Sequence, residues 1–283
     1  MLYKDSGMVR QGAEHQTQGG DWIADMKRRF LLKYGGSIAA IGAVAYWQRN
    51  ALARWAFTSA NNSVVPTLAA NAGDDVCVLM PEQIEGPYYV QSEQRADITE
   101  DRKGLPLDLT IEVVRMPDCS VVAGATVEIW HCDAEGGYSG YGSALSRAPF
   151  DASLKILRGC DGEDSHLEPV NDTTFLRGGL ATDSQGRAQF QTIFPGWYEP
   201  RVAHIHLKVS KDGQSFLTTQ LYFPDELAAD IYANHPDYVD FGLCPYNLGN
   251  DIVIGDLEAG TGVILQAERM TNRISASIRV GIA

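Results

Sequence analysis

The sequence predicts an all-β fold, an antiparallel β-sandwich with long loops, which follows a separate N-terminal segment. Short runs of alternating apolar and polar residues, rich in Val, Ile, Thr and aromatic side chains, recur from Leu107 onward. This period of two is typical of strands that bury one face. The 28 Gly and 12 Pro residues supply turns between such strands. A chain of 283 residues has the length of one large domain with appendages.

Seven segments carry the strand pattern. They are Leu107–Arg115, Ala125–Cys132, Arg187–Thr192, Ala203–Ser210, Thr218–Phe223, Asp251–Asp256 and Gly260–Ala267. The irregular stretch Ser143–Asn171 lies between the second and the third, and its length is typical of a functional loop. One short helix is predicted at Pro224–Asn234, where Asp225 can cap and Leu227 and Ile231 repeat at helical spacing.

The N-terminal segment has its own pattern. Arg28 and Arg29 precede the short apolar run Tyr34–Trp47, which resembles a twin-arginine export signal. The run is too short to span a hydrocarbon core of about 30 Å. Export to the periplasm or the extracellular space is therefore predicted; an uncleaved membrane anchor and an ordinary N-terminal helix are the alternatives. The predicted division is a polar leader or over-extended start at 1–25, a signal segment at 26–60, a linker at 61–76 and the β-sandwich domain at 77–283.

Charge and cysteine content exclude some classes of function. The formal net charge is −13, and residues 1–60 hold 8 of the 23 basic residues but only 4 of the 36 acidic ones. The acidic remainder would repel phosphate backbones, so no nucleic-acid partner is expected. No Cys-x-x-Cys occurs, which argues against a cysteine metal site. Among the five cysteines, a bridge between Cys77 and Cys119 is preferred because it would tie the entry segment to a turn of the core, and the other pairings stay open.

The first candidate for chemistry is the pair His204 and His206 in a predicted strand. Alternate strand residues face the same side about 6.6–7 Å apart at Cα, so two imidazoles can converge on one metal ion. Two histidines on a solvated strand face are the plainer interpretation. The preceding loop, 194–201, favours the metal site, because two prolines and a glycine fix its path and it holds Tyr198 and Arg201.

The second candidate is the strand that runs from Val127 into a glycine-bearing turn and presents Tyr138. The simpler interpretation is a core strand followed by a tyrosine that only packs in the core. Arg177, Asp183 and Gln220 add polar groups at other strand ends, which favours a functional site.

Five ordered motifs between about Cys77 and Phe223 carry a family resemblance. They are Glu85-Gly86-Pro87-Tyr88-Tyr89, Glu128-Ile129-Trp130-His131 through Gly137-Tyr138-Ser139, Phe175-Leu176-Arg177-Gly178, Thr192-Ile193-Phe194-Pro195-Gly196-Trp197-Tyr198 and Arg201-Val202-Ala203-His204-Ile205-His206. Together they resemble the intradiol ring-cleavage dioxygenases, the family of catechol and protocatechuate dioxygenases. The sequence shows nothing like the helical N-terminal dimerisation region of the extended catechol enzymes, so it resembles a compact, exported branch.

The resemblance implies a metal site and a reaction of aromatic-compound catabolism. One non-haem Fe(III) per chain would be held by Tyr138, Tyr198, His204 and His206, and phenolate oxygens suit a hard trivalent ion. The implied reaction uses O2 to cleave a catechol-type ring between its two hydroxyl-bearing carbons, giving a muconate-type diacid. By the same resemblance Tyr198 dissociates and accepts a catechol proton while Tyr138 stays bound. Arg201 would stabilise negative charge on the ring, and Gln220 would orient substrate or O2.

Two other classes of function stay open at this point. One is a non-catalytic β-sandwich binding module that has lost its metal. The other is a zinc hydrolase that uses His204 and His206 with a carboxylate such as Asp183 or Glu199. The sequence also leaves open which catechol derivative is the substrate and how many chains associate.

Overall fold

The computed structural model describes residues 77–141, 166–254 and 262–283. The predicted leader, signal segment and linker lie outside the described residues, as does most of the predicted long loop. The elements of the described part are, in chain order, β1 (Pro106–Arg115), β2 (Ser120–Val121), β3 (Thr126–Trp130), β4 (Arg177–Ala181), β5 (Arg187–Ile193), β6 (His204–Lys211), β7 (Gln214–Tyr222), α1 (Asp225–Asn234), α2 (Pro236–Val239), β8 (Gln266–Arg269) and β9 (Ile274–Ile282). None of the helices in these ranges is long and apolar enough to cross a membrane.

These strands form two sheets. In the first, the order is β2-β1-β9-β8, and β5 also pairs with β1. The second has the order β4-β3-β6-β7 and is antiparallel throughout. Buried hydrophobic side chains of both sheets belong to one core cluster, so the predicted β-sandwich is confirmed. The first sheet is mixed rather than antiparallel, because β1 and β9 run parallel.

The second sheet is buried on both of its faces where β6 begins. Ile205, Leu207 and Val209 of β6 belong to the core between the sheets, and burying such a side chain contributes about 1.5–3 kcal/mol. The alternate residues of β6 point to the opposite face, which we call the site face. His204 and His206 lie there and are nonetheless buried. A face that is covered but polar is where chemistry can be shielded from water.

Five predicted strands are confirmed as β1, β3, β5, β6 and β7 within a few residues, and the last predicted strand overlaps the start of β8. The strand predicted at Asp251–Asp256 is wrong, since its described residues form turns. The Asp251 carboxylate accepts the main-chain N–H groups of Val253 and Ile254, which turns the chain and removes those donors from any ladder.

Three strands, β2, β4 and β9, are absent from the sequence prediction, and β2 is only two residues long. β4 contains Gly178 and Gly179, which strands disfavour. At Gly178 the first atom of a side chain would lie 2.4 Å from Ile98, so close packing requires glycine there. β9 has a regular alternation of buried and exposed residues over its first five positions, and the strand prediction above does not include it.

The helix predicted at Pro224–Asn234 is confirmed as α1, but its capping is not as predicted. Pro224 occupies the N-cap position, and no side chain caps the helix. Asp225 instead accepts the main-chain N–H of Leu248, 3.0 Å away. The acid therefore fastens the segment after α2 to the start of α1.

A disulfide joins Cys77 to Cys119, as preferred from the sequence, with the Cα atoms 5.8 Å apart. Cys132 and Cys244 are free thiols. Cys160 lies outside the described residues.

Candidate metal centre

Strand β6 presents two histidines side by side on the site face. His204 and His206 have relative exposures of 0% and 2%. The Nδ1 atom of His204 lies 2.7 Å from the carbonyl oxygen of Val202. A carbonyl only accepts hydrogen bonds, so Nδ1 of His204 carries the proton and its Nε2 lone pair is available to a cation.

The two tyrosines come from loops that pack against each other. Tyr138 follows β3 through a turn in which Asp133 accepts the N–H of Gly137 at 2.8 Å. Tyr198 lies in the loop that leads into β6. At Gly196 of this loop a side chain would come within 2.6 Å of two carbonyl oxygens of the Tyr138 loop. Glycine at 196 thus permits the close approach that brings both phenols to the histidines.

Four donor atoms meet at one point. The hydroxyl of Tyr138 lies 3.0 Å from Nε2 of His206 and 3.3 Å from Nε2 of His204. The hydroxyl of Tyr198 lies 3.2 Å from Nε2 of His204 and 3.4 Å from that of Tyr138. Nitrogen and oxygen ligands lie about 2.0–2.2 Å from a zinc-sized ion, which puts the ligands of one ion about 3 Å from one another. The spacing therefore fits a single metal ion.

The alternative carboxylate ligands are not assembled with these histidines. No group of three or more His, Cys, Asp or Glu side chains able to hold a metal occurs among the described residues. Asp183 is exposed and accepts the N–H groups of Gln185 and Arg187 in the hairpin between β4 and β5. The donor set is two phenols with two imidazoles, and anionic phenolate oxygens favour a hard trivalent ion over zinc.

The pairing of the second sheet aligns one residue from each strand beside the centre. Trp130 is opposite Arg177 on one side and His206 on the other, and His206 is opposite Gln220. The indole of Trp130 stacks on the imidazole of His206 with the ring centroids 4.9 Å apart and the planes at 8°. Tyr222, opposite His204, belongs to the same face. The pairing of β3 with β6 therefore holds the His206 ring against Trp130.

Arg201 is fully buried in an ion pair. Its Nε donates to Asp251 at 2.9 Å, and the exposures of the two side chains are 1% and 0%. Its Nη2 donates to Oε1 of Gln220 at 2.5 Å and to the hydroxyl of Tyr222 at 3.3 Å. Gln220 in turn donates through Nε2 to the carbonyl of Ile84 at 2.9 Å. The two residues expected from the resemblance to face substrate are thus joined to each other and held by protein partners.

Arg177 is a second buried arginine, beside Tyr138. Its Nε and Nη2 donate to the hydroxyl and the carbonyl oxygen of Ser139, at 2.7 and 2.9 Å. Its Nη1 is buried and has no hydrogen-bond partner in the described ranges. The guanidinium lies about equally far from the rings of Tyr138 and Tyr141, 6.0 and 5.9 Å from their centroids. Arg177 therefore holds the turn that presents Tyr138.

Burial determines the protonation of the bare centre. Desolvation raises the pKa of Tyr138 well above its usual value and that of Tyr198 to about 12, where nearby Arg201 opposes the rise. Desolvation, reinforced by Arg201, lowers the pKa values of His204 and His206 well below the usual value. The imidazoles are therefore neutral, which is the form that binds metals.

A charged cluster borders the centre. Glu85 accepts hydrogen bonds from Lys208 at 2.7 Å and pairs with Nε2 of His166 at 2.8 Å. The ammonium of Lys208 lies 4.4 Å from the ring centroid of Tyr89. Beside Glu85, Gly86 leaves space for the His206 ring, because a side chain there would come within 3.1 Å of it.

The structure brings together the six residues that the resemblance assigns to the site, Tyr138, Tyr198, His204, His206, Arg201 and Gln220. Sequence reasoning did not find Asp251. A buried arginine calls for a counter-charge, but the sequence holds 36 acidic residues and no pattern that selects this one.

Comparison with known proteins identifies the family of this chain. The family model described as Dioxygenase matches residues 84–239, more than half of the chain. The chain therefore belongs to the intradiol ring-cleavage dioxygenase family.

Two curated relatives are catechol 1,2-dioxygenase 1 of Acinetobacter lwoffii and chlorocatechol 1,2-dioxygenase of Cupriavidus pinatubonensis. The first is 33% identical over 162 residues, which cover 54% of this chain and 49% of the relative. The second is 32% identical over 191 residues, which cover 62% and 71%. The match thus spans only about half the length of the Acinetobacter enzyme. Among solved structures, an intradiol ring-cleavage dioxygenase from Tetranychus urticae superposes with a TM-score of 0.62 at 28% identity, covering 73% of this chain and 94% of that one.

Proposed function

We propose that this protein is a non-haem Fe(III) dioxygenase that uses O2 to cleave a catechol-type ring between its two hydroxyl-bearing carbons, giving a muconate-type diacid. The observation that carries the proposal is the meeting of two phenols and two neutral imidazoles within 3.0–3.4 Å in a buried site. Membership of the family supports the reaction class. The names of the relatives support catechol or chlorocatechol as substrate.

Tyr138, Tyr198, His204 and His206 would hold one ferric ion per chain. When bound, the ion would supply a Lewis acid that both oxygens of a catechol can chelate. The two phenolate charges of the tyrosines would offset most of the charge of the ion in a site that excludes water.

The two tyrosines would play different parts in moving substrate protons. Tyr138 has an exposure of 0%, and Arg177 holds the residue after it. Tyr198 has an exposure of 6%. The lower exposure of Tyr138 and the anchoring of its neighbour Ser139 by Arg177 support Tyr198 as the phenolate that accepts a catechol proton, while Tyr138 keeps its place.

Arg201 and Gln220 would act on the bound ring. A guanidinium retains its proton, so Arg201 can stabilise negative charge that builds on the substrate. The hydrogen bond between Arg201 and Gln220 couples the position of the amide to that of the cation. Gln220 would orient substrate or O2.

Metal content and turnover test the proposal. The purified protein should hold about one ferric ion per chain, absorb broadly in the visible through tyrosinate-to-iron charge transfer, and consume one O2 per catechol cleaved. Reconstitution with Zn(II) serves as the control and should give a colourless, inactive protein. Stoichiometric native zinc without a visible band would contradict the dioxygenase assignment.

We further propose export by the twin-arginine route, which moves folded proteins and so allows metal loading before export. Changing Arg28 and Arg29 to lysine should leave the precursor in the cytoplasm. Unchanged export of the double variant, measured by cell fractionation, would count against the proposal.

A further inference from the structure

Asp251 lies in the segment after α2 and is bound through its carboxylate to Arg201 and Val202, two buried residues of the chain that leads into β6. We propose that Asp251 is a positioning residue, a single buried carboxylate that fixes both the Arg201 guanidinium and the His204 imidazole. The inference rests on the proposed function for its kinetic and iron-binding parts, and the unfolding measurements are independent of it.

Four donors converge on this carboxylate. Arg201 donates through Nε to both oxygens, at 3.1 and 2.9 Å. The main-chain N–H of Val202 donates to Oδ2 at 2.9 Å. The N–H groups of Val253 and Ile254 donate to Oδ1 at 2.9 and 3.2 Å. Two donors thus come from the loop before β6 and two from the turn that Asp251 itself makes, so the carboxylate joins two chain segments.

The first consequence concerns the direction of the guanidinium. With Nε on Asp251, the other end of the fork points its Nη2 at Gln220 and Tyr222. A long flexible side chain is thereby limited to one orientation before any substrate arrives, and this preorganisation is what makes a fixed charge effective in catalysis. The negative carboxylate also holds the pKa of Arg201 above its usual value, against the desolvation that would lower it.

The second consequence concerns the histidine. Val202 donates its N–H to Asp251 and accepts the Nδ1–H of His204 through its carbonyl at 2.7 Å. The acid therefore holds the residue that selects the tautomer of a proposed ligand. Partners of this kind orient metal-binding histidines, and their loss typically costs about 10- to 100-fold in metal affinity or activity.

The competing explanation is that Asp251 only anchors a loop. Asp225 provides a matched control, because its carboxylate also fastens the segment after α2, through the N–H of Leu248, without bonding Arg201 or Val202. Asp251→Asn and Asp225→Asn both keep side-chain volume and remove one charge. A simple anchoring role predicts the same defects in the two variants.

We expect Asp251→Asn to bind ferric iron about 10- to 100-fold more weakly and to lower kcat by a similar factor with little change in KM. The visible charge-transfer band should shift, since the His204 ring is no longer held. Asp225→Asn should stay within about twofold of the wild type in all of these measurements. Equal iron affinity, band position and kcat in the two variants would overturn the inference.

In Asp251→Asn, Arg201 is buried without a counter-charge, and this variant can fail to fold for that reason. The double variant Arg201→Met with Asp251→Asn removes both charges, and it should be more soluble and unfold at a higher temperature than Asp251→Asn alone. A double variant as unstable as the sum of the single changes would show that the two side chains are not coupled.

Failure of the proposed function has a separate signature. If iron-loaded wild-type protein consumes no O2 with catechol, the reaction assignment fails. The iron affinities and the unfolding cycle still decide the role of Asp251 in that case, because neither requires turnover.

Discussion

Two buried arginines lie on opposite sides of the proposed centre, and they are compensated in different ways. Arg201, near Tyr198, is paired with Asp251 and makes further bonds to Gln220 and Tyr222. Arg177, near Tyr138, bonds only neutral groups of Ser139 and leaves Nη1 without a partner in the described part of the chain. The fold thus neutralises one cation with an acid and surrounds the other with phenol rings.

The difference shows in the direction in which the pKa of each guanidinium departs from its usual value. Burial lowers the pKa of Arg177 to about 10, and neighbouring tyrosines offset the fall only in part. For Arg201 the effect of burial is outweighed by Asp251, and the pKa lies above its usual value. Under the proposed function the two arginines would serve differently. Arg201 would act on bound substrate, and Arg177 would hold the turn that presents Tyr138.

The largest expected effect separates the two tyrosines. Tyr198→Phe should retain part of its iron and of the visible band through Tyr138, His204 and His206. It would lack the internal base for a catechol proton, so single-turnover rates should fall about 10²- to 10⁴-fold. His206→Ala is the reference, with iron loss as its main defect. Equal iron loss in both variants, without a separate kinetic defect in Tyr198→Phe, would show that the two tyrosines do not divide the work this way.

Next in size is the loss of the paired arginine. Arg201→Met leaves the Asp251 carboxylate buried without a counter-charge, and the free energy of unfolding should drop by about 3–5 kcal/mol. Denaturant unfolding of the metal-free protein measures it. If the free energy of unfolding falls less in Arg201→Met than in Arg177→Met, the proposed difference between the two arginines is wrong.

A smaller loss is expected for the arginine that has no acid partner. Arg177→Met removes the bonds to Ser139 without exposing an opposite charge, so the free energy of unfolding should fall by about 1–3 kcal/mol. Ser139→Ala, which removes only the hydroxyl acceptor, is the matched control and should cost less. Identical effects of both changes would mean that the bond to the carbonyl of Ser139 contributes nothing.

The smallest effect is expected at the border of the centre. The Lys208–Glu85 pair is partly solvated, with side-chain exposures of 23% and 13%. Lys208→Met should therefore change the free energy of unfolding by about 1 kcal/mol or less, and added salt should reduce the difference further. If Lys208→Met lowers the free energy of unfolding as much as Arg177→Met does, and salt does not change the loss, then Lys208 behaves as a buried cation and the expectation is wrong.

Local pattern predicted only the histidine pair, because His204 and His206 are two apart on one strand. Tyr138 and Tyr198 were assigned as ligands through the family resemblance of the motifs that contain them. The stacking of Trp130 on His206 could not be predicted from the sequence, because it depends on which strand pairs with β3 and in which register. Asp251 was missed for a stronger reason: its carboxylate makes the turn that replaces the strand predicted there.

The place of Asp251 in the chain has a consequence for biosynthesis. It follows Arg201 by 50 residues, so at about 5–20 residues per second the ribosome delivers it roughly 3–10 s after the arginine. During that time the nascent chain holds both phenols, both imidazoles and the guanidinium, but not the acid that fixes two of them. Asp251 is thus synthesised after the other residues of the proposed centre, which favours insertion of the proposed iron after the Asp251 segment has joined the fold rather than before.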